Sequence, residues 1–198
     1  MTQASKRTHR LAVAAMLSAV AAVLQFVEFS IPLIPSFVKL DISDLPALLG
    51  TFSLGPVYGV AIQLVKNLLH LPFGSSACVG ELSNFLLGAT FAFIAGIIYK
   101  KHKNRSGALW GSVAGAAAMA LISLPLNYFI VYPAYVVLYG LPLEAIVGMY
   151  QEILGTVAQM PTSNALLNCL MVFNVPFTLC KGLLDVALCF LIYKPLSP

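Results

Sequence analysis

The amino-acid sequence predicts an all-α, polytopic membrane protein whose helices form a single bundle. Of its 198 residues, 60% are hydrophobic and only 9% are charged, whereas soluble domains carry about 25% charged residues. The mean hydropathy is +0.91. These values exclude an ordinary soluble enzyme, a disordered chain and a nucleic-acid-binding protein. At about 20 apolar residues for each membrane crossing, the chain has room for about six helices and little else.

The first predicted transmembrane helix covers residues 11–29. An apolar run over 11–27 follows three basic residues and ends at Glu28. This run is longer than the apolar region of about 7–15 residues in a secretory signal peptide. We therefore expect the segment to be retained as a helix with its basic flank in the cytoplasm. The basic residues are Lys6, Arg7 and Arg10.

The second apolar stretch, 44–71, contains the pair Gly55-Pro56. Proline lacks a backbone N–H, and it disfavours the helical conformation in the residue before it. The stretch is also longer than one crossing requires. We therefore predict two short helices, at about 43–54 and about 57–71.

The distribution of basic residues supports this division, because cytoplasmic loops of membrane proteins are enriched in Lys and Arg. The densest basic cluster lies at 100–105. A single helix over 44–71 would place that cluster on the opposite side of the membrane from the N-terminus. With two helices, the cluster, the N-terminus and Lys194 share the cytoplasmic side. That side then holds eight of the eleven basic residues, and both termini are cytoplasmic.

The remaining transmembrane helices are predicted at 78–99, 107–133 and 165–193, which makes six. The expected outer loops are 30–42, 72–77 and 134–164. The last of these is longer than most connections, and its 143–154 portion has helical spacing. We expect that portion to form a short helix that covers the outer mouth of the bundle. The sequence contains no internal repeat and no linker, so residues 1–198 are expected to form one domain.

Metal chemistry and hydrolysis are disfavoured. None of the four cysteines forms a C-x-x-C pair, and the three histidines lie in separate stretches. These spacings do not resemble a zinc site or a disulfide framework. The sequence also has no G-x-S-x-G motif and no nucleotide-binding loop.

Ionisable residues inside predicted helices indicate function, since each costs about 2.5–3.5 kcal/mol to insert into a membrane. Lys181 and Asp185 are four residues apart and therefore share one face of a helix. Two interpretations remain open: the two side chains pair locally, or Lys181 projects into a pocket. The other ionisable residues are Lys66 and Glu81 inside helices, with Asp41 and Asp44 at the outer edge.

Polar and aromatic side chains concentrate in the outer half of the predicted bundle. We expect a ligand pocket there, because side chains that serve packing alone would not gather on one side. The predicted helices contain no Arg, which disfavours a phosphorylated ligand. An uncharged aromatic molecule with several hydrogen-bonding groups is favoured. The candidate pocket residues are Asp41, Glu81, Asn84, Asn127, Tyr128, Phe177, Thr178 and Lys181.

Small residues recur on the first helix at spacings of three and four. Such ridges allow two helices to approach closely. The ridge either packs inside the protein or docks a separate membrane subunit. Its alanines are Ala12, Ala15, Ala19 and Ala22.

Six short stretches, taken together and in order, resemble a known family. They are KLDISDLPAL at 39–48, GPVYGV at 55–60, KNLLH at 66–70, GELSNFL at 80–86, YGLPLE at 139–144 and VPFTLCKG at 175–182. The sequence is similar to the S components of energy-coupling-factor (ECF) vitamin transporters, and most of all to the riboflavin-specific ones.

The resemblance implies six helices with cytoplasmic termini and a vitamin bound near the outer face, under the first loop. It also implies docking on a membrane coupling protein that carries two ATPase subunits, with Ala15 and Ala19 matching the family's Ala-x-x-x-Ala contact motif. Many relatives have Asn at the position of Thr178, where this chain offers one hydroxyl instead of an amide. The implied pocket residues are Leu40, Asp41, Glu81, Asn84, Asn127, Thr178 and Lys181.

From the residues and the resemblance together, we expect a substrate-binding subunit in the cell membrane that carries riboflavin as its transported ligand and uses no cofactor. Its partners are the lipid bilayer and the coupling module. The alternatives are an S component for thiamine or a similar vitamin, an intramembrane enzyme, and a purely structural membrane subunit.

Overall fold

The computed structural model describes residues 3–30, 39–74, 78–140, 142–154 and 165–196. In these ranges the chain is almost entirely helical, and two strands of two residues each, β1 (Phe29–Ser30) and β2 (Lys39–Leu40), pair antiparallel. The helices are α1 Gln3–Gln25, α2 Asp44–Leu54, α3 Pro56–His70, α4 Val79–Lys101, α5 Arg105–Leu126, α6 Tyr132–Tyr139, α7 Leu143–Leu154, α8 Ala165–Cys169 and α9 Val175–Leu196.

The protein is an all-α membrane protein. Among the described residues, four helical segments are long and apolar enough to cross a bilayer: Gln3–Gln25, Val79–Lys101, Arg105–Leu138 and Ala165–Ile192. Helices α2 and α3 have only 11 and 15 residues. At 1.5 Å per residue each is shorter than the hydrocarbon thickness of about 30 Å.

Helix α1 begins and ends earlier than the sequence predicts. It covers Gln3–Gln25 instead of 11–29, because its polar start contains no Gly or Pro that would stop a helix. After Gln25 the chain tightens into i→i−3 hydrogen bonds, in which the backbone N–H groups of Phe26 and Val27 donate to Val23 and Leu24. The chain then enters β1. A prediction from hydrophobicity alone therefore places the end of the helix too late in the sequence.

Helices α2 and α3 are separated by Gly55, whose φ of +113° is strained for any residue with a side chain. Its N–H donates to the carbonyl of Thr51, and Pro56 follows as the first residue of α3. Proline fits this position, because the first helical N–H has no partner within the helix. The Gly55-Pro56 pair therefore turns the chain at the place where the sequence predicts a break.

Two π-helical turns interrupt the long segments, one at Asn127–Val131 between α5 and α6 and the other at Leu170–Asn174 between α8 and α9. The first lies between Pro125 and Pro133, each of which removes a backbone donor, and a π turn rearranges the ladder of hydrogen bonds around them. The chain consequently stays helical to Tyr139. Residues 134–139, which the sequence assigns to an outer loop, belong to α6.

Helix α6 ends at Tyr139 and is followed by Gly140, which has a left-handed φ of +63°. Helix α7 then occupies Leu143–Leu154. Residues 155–164 of the predicted outer loop lie outside the described residues, as do 31–38 and 75–77 of the other two loops. We call the end of the bundle that carries α7, the end of α3 and the start of α4 the α7 end.

The apolar core has two main clusters. Helix α4 packs between α3 and α5, and α5 also packs against α9. At the α7 end, the first cluster contains Val79, Leu126, Val131, Tyr132, Tyr135, Ile146, Tyr150, Cys169 and Leu170. The second, between α2, α4, α5 and α9, contains Leu45, Leu48, Phe91, Ala95, Ala116, Met119, Val186 and Cys189.

Candidate ligand-binding site

A cavity of about 320 Å³ opens at the α7 end, between the two apolar clusters. This volume is at the lower end of the range of small-molecule sites, about 300–1,000 Å³. Seven of the nine pocket residues predicted from the sequence line it: Asp41, Glu81, Asn84, Asn127, Phe177, Thr178 and Lys181. They come from α4, the first π turn, α9 and the segment before α2, so residues far apart in the chain meet around one space.

Lys181 joins α9 to the segment before α2. Its ammonium donates to Oδ2 of Asp41 at 2.8 Å and to Oδ1 of Asn84 at 3.4 Å, and it lies 3.6 Å from Oδ2 of Asp44. Burial alone would raise the pKa of Asp41, but the ammonium groups of Lys181 and Lys66 outweigh burial and hold it below its ordinary value of 3.8. The Asp41 carboxylate is therefore a charged partner for Lys181 on the cavity wall.

A second lysine, Lys66 on α3, supports this charged wall from behind. Its ammonium donates to Oδ1 of Asp44 at 2.5 Å and to the hydroxyl of Ser43 at 2.6 Å. The amide of Gln63 also donates to Oδ1 of Asp44, at 2.8 Å. The Ser43 hydroxyl and backbone N–H both donate to Asp41. The start of α2 is thus fixed by charges in the interior, where broken pairs are costly.

Local pairing of Lys181 with Asp185 is one of the two interpretations that the sequence allows, and it is not the one observed. The ion pairs of Lys181 among the described residues are with Asp41 and Asp44. Helical side chains lean towards the N-terminus of their helix, which directs Lys181 towards the α7 end and away from Asp185. The Asp185 carboxylate is fully buried, and neither of its oxygens has a hydrogen-bond partner among the described residues.

Amide and phenol groups form a second polar region of the cavity wall. The hydroxyls of Tyr132 and Tyr150 lie 2.5 Å apart, and Tyr150 donates to Oδ1 of Asn174 at 2.7 Å. Nδ2 of Asn174 donates back to the Tyr132 hydroxyl at 3.3 Å. Tyr132 and Asn174 line the cavity, whereas Tyr150 lies on α7. Asn127 and Asn174 belong to the two π turns.

The rim of the cavity is aromatic and acidic. Nδ1 of His70, at the end of α3, lies 3.0 Å from Oε1 of Glu81. The ring of Phe26 packs on His70 with centroids 4.9 Å apart and meets the Phe73 ring edge-on at 5.4 Å. Glu28 and Lys39 form an ion pair beside β1 and β2. The rim is therefore built from segments that flank the loops.

Two predicted pocket residues, Leu40 and Tyr128, are not among the described residues that line the cavity. Neighbouring side chains on a helix point about 100° apart, so Tyr128 faces away when Asn127 faces inward. The Tyr128 ring packs edge-on against Phe129 at 4.9 Å. Leu40 pairs with Phe29 in the strand ladder, and alternate residues of a strand face opposite sides. Lys39, its neighbour, is the strand residue that lines the cavity.

Several lining residues are not among the pocket residues predicted from the sequence, including Gln25, Asp44, His70, Tyr132, Tyr135 and Asn174. Asn174 could have been identified from its spacing. It lies four residues before Thr178 and seven before Lys181, so it shares their helix face. The sequence gives no comparable signal for Gln25, His70 and Tyr135. Among the described residues, no group of three His, Cys, Asp or Glu side chains is placed to hold a metal ion.

The small-residue ridge of α1 has two faces. Ala14, Ser18 and Ala22 are buried against the bundle, whereas Ala15 and Ala19 are exposed on its surface. The part of the ridge that matches the docking motif is therefore available to another helix or to lipid.

Comparisons with known proteins agree with one another. The family model described as "ECF transporter, substrate-specific component" matches residues 9–193. Riboflavin transporter RibU of Staphylococcus aureus (strain TCH60) is 40% identical over 136 residues, which are 69% of this chain and 72% of the relative. Riboflavin transporter FmnP of Bacillus subtilis (strain 168) is 35% identical over 132 residues, or 65% of this chain and 70% of the relative.

A solved structure described as "Structure and mechanism of the S component of a bacterial ECF transporter" has a similar fold. The TM-score is 0.73 at 34% sequence identity, and the match covers 96% of each chain.

Proposed function

This chain belongs to the family of ECF transporter substrate-specific components, and from that membership we propose that it binds riboflavin and passes it across the membrane. It is a transporter subunit and not an enzyme. The observation that carries the proposal is the cavity at the α7 end, where buried hydrogen-bonding groups and aromatic rings surround one space. The relatives named riboflavin transporters support this choice of ligand.

The chemistry of riboflavin fits the two regions of the cavity wall. Its flat isoalloxazine ring packs against aromatic side chains such as Phe177 and Tyr135. The carbonyl edge of the ring accepts hydrogen bonds from Lys181, Asn127 and Thr178. The hydroxyls of the ribityl chain bind carboxylates, and Asp41 and Glu81 line the same space.

The charges of the described lining residues favour riboflavin over its phosphate ester, FMN. Four carboxylates line the cavity: Glu28, Asp41, Asp44 and Glu81. Two lysines, Lys39 and Lys181, oppose them, and each is already paired with a carboxylate. No Arg is among these lining residues. A phosphate group would meet like charges without the bidentate partner that it prefers.

The proposed arrangement has six spans in the plasma membrane, with both termini in the cytoplasm. The four long helical segments cross the bilayer, and α2 and α3 together contribute two short spans. Burial supports this role for the short helices, because seven residues of α2 and six of α3 are buried inside the bundle. The α7 end then faces outwards, so the cavity takes up its ligand from outside.

The energy for transport comes from partners. We infer that a membrane coupling protein with two ATPase subunits binds the exposed Ala15 and Ala19 face of α1. Small side chains at this spacing let a partner helix approach closely. The sequence itself contains no nucleotide-binding loop.

Fluorescence titration tests the choice of ligand. Riboflavin fluorescence is expected to be quenched saturably by the purified protein in detergent, with one ligand per chain. An excess of FMN or thiamine is expected to displace it poorly. Absence of quenching would refute riboflavin as the ligand, and efficient displacement by thiamine would favour the alternative vitamin.

A further inference from the structure

A closed ring of hydrogen bonds connects α7 to the cavity wall. The Tyr132 and Tyr150 hydroxyls and the Asn174 amide are joined by the three contacts of 2.5, 2.7 and 3.3 Å described above. Their side chains are at most 5% exposed, and they lie within or beside the apolar cluster at the α7 end. A buried polar network of this kind stabilises one arrangement when all its members are satisfied.

Counting donors determines what the ring leaves for a ligand. Each phenol has one proton, and Tyr150 gives its proton to Oδ1 of Asn174. Tyr132 therefore donates to Tyr150 and accepts from Nδ2 of Asn174. The amide nitrogen has two N–H groups, and the ring uses one. Within the part of the chain that the structure describes, the Asn174 amide makes no other hydrogen bond, so its second N–H remains for a group inside the cavity, which this side chain lines.

Asn174 shares its helix face with two residues of the proposed binding site. Thr178 and Lys181 follow it by four and seven residues, so the three side chains form one row. All three are buried and line the cavity. The row can present an amide N–H, a hydroxyl and an ammonium along one edge of the cavity. This pattern is complementary to the edge of a planar molecule that carries carbonyl oxygens.

We propose that Asn174 determines ligand specificity by donating its second N–H to a carbonyl oxygen of the ligand, and that Tyr150 is the positioning residue that fixes the amide for this contact. The inference rests on the proposed function, since the carbonyl belongs to the flavin ring. Tyr150 is not among the described residues that line the cavity, so it acts only through Asn174 and Tyr132. Helix α7 thereby contributes to ligand recognition without touching the ligand.

The test compares affinities for riboflavin and for its 2-thio and 4-thio analogues, in which a weak sulfur acceptor replaces one carbonyl oxygen. The variants are Tyr150→Phe, Asn174→Ala and the double variant, with Tyr99→Phe as the control. Tyr99 lies at the far end of α4, where its ring packs on Phe52. Loss of one hydrogen bond is worth about fivefold to tenfold in affinity. Both single variants are expected to bind riboflavin weaker by that factor, and Tyr99→Phe is expected to bind normally.

Two further readouts separate positioning from a merely structural role. Wild-type protein is expected to discriminate against one thio analogue, and Y150F and N174A are expected to lose that discrimination. The double variant is expected to bind riboflavin no more weakly than N174A, because Tyr150 acts through Asn174. Asn174→Ser replaces N174A if the alanine variant does not fold.

Three outcomes would overturn the inference. Folded Y150F with unchanged riboflavin affinity would remove the role of Tyr150. Parallel loss of affinity for riboflavin and both analogues would indicate a structural role only. Wild-type protein that binds no riboflavin would refute the proposed function, and with it this inference. The first two outcomes leave the proposed function intact.

Discussion

The ammonium of Lys181 and the carboxylate of Asp41 lie 2.8 Å apart, although 140 residues separate them in the chain. The contact joins α9 to the segment before α2, and both side chains line the cavity. The ammonium has three N–H groups, and among the described residues Asp41 and Asn84 accept two of them, so a ligand carbonyl can bind Lys181 beside Asp41. The ion pair is thus part of the binding site and also part of the structure that closes the bundle.

Lys181→Met is expected to weaken riboflavin binding by about 10- to 100-fold, because hydrogen bonds to charged groups are worth about 1.5–3 kcal/mol. The matched control is Lys100→Met, which removes an exposed lysine at the far end of α4 and is expected to bind normally. Fluorescence titration measures both variants. Equal affinities of folded K181M and wild type would contradict a ligand contact at Lys181.

Asp44→Asn and Asp185→Asn are expected to differ in stability. Asp44 neutralises Lys66 at 2.5 Å, and breaking a buried pair costs about 3–5 kcal/mol. In the described ranges neither oxygen of Asp185 has a hydrogen-bond partner, so its replacement by a neutral amide is expected to leave stability unchanged or to raise it. Thermal unfolding in detergent compares the two. A large loss of thermal stability in D185N would contradict this expectation and show that the Asp185 carboxylate has a stabilising partner.

The stability of the protein is expected to fall in acid through Asp41. The pKa of Asp41 is lower in the folded protein than its ordinary value of 3.8, so the unfolded chain takes up a proton first. The stabilisation is complete well above pH 3.8 and is lost as the pH falls towards the folded pKa. The free energies of unfolding of wild type and Asp41→Asn are expected to differ near neutral pH. They are expected to converge below the folded pKa of Asp41. A constant difference across the range would contradict this assignment.

Bulky residues on the exposed face of α1 are expected to separate binding from assembly. Ala15→Trp and Ala19→Trp add volume where we place a partner helix, at residues that are not among those lining the cavity. Riboflavin affinity should be unchanged, while co-purification with the coupling protein should be lost. Ala117→Trp, which alters an exposed alanine of α5, is the control and should assemble normally. Intact assembly of the α1 variants would show that the partner binds elsewhere.

The parts of the fold that could be predicted from the sequence depend on local chemistry. Gly55-Pro56 divides α2 from α3 through the backbone preferences of two residues. The polar residues that gather around the cavity could be identified because charged and amide groups are rare in membrane helices. Five of the seven predicted side chains that line the cavity are of this kind, Asp41, Glu81, Asn84, Asn127 and Lys181, and their contacts with a ligand remain a proposal.

The parts that could not be predicted depend on tertiary contacts. The partner of Lys181 comes from the other end of the chain, and spacing alone offers only Asp185. Tyr150 gives no signal in an apolar helix until its hydroxyl is seen beside Tyr132 and Asn174. Pro125 and Pro133 indicate the end of a helix, but the chain continues because a π turn rearranges the backbone around them.

The two π turns also determine how the wall of the cavity responds to changes in chain length. Each holds one residue more than an α-helix of the same length would need. Deleting a single residue from 127–131 would therefore restore regular α-helix and leave the helix beyond it facing nearly the same way. Tyr132 and Tyr135 would stay at the cavity, whereas the same deletion in regular α-helix would rotate everything beyond it by about 100°. In this protein, two short segments can absorb a change in chain length without turning the faces presented to the ligand.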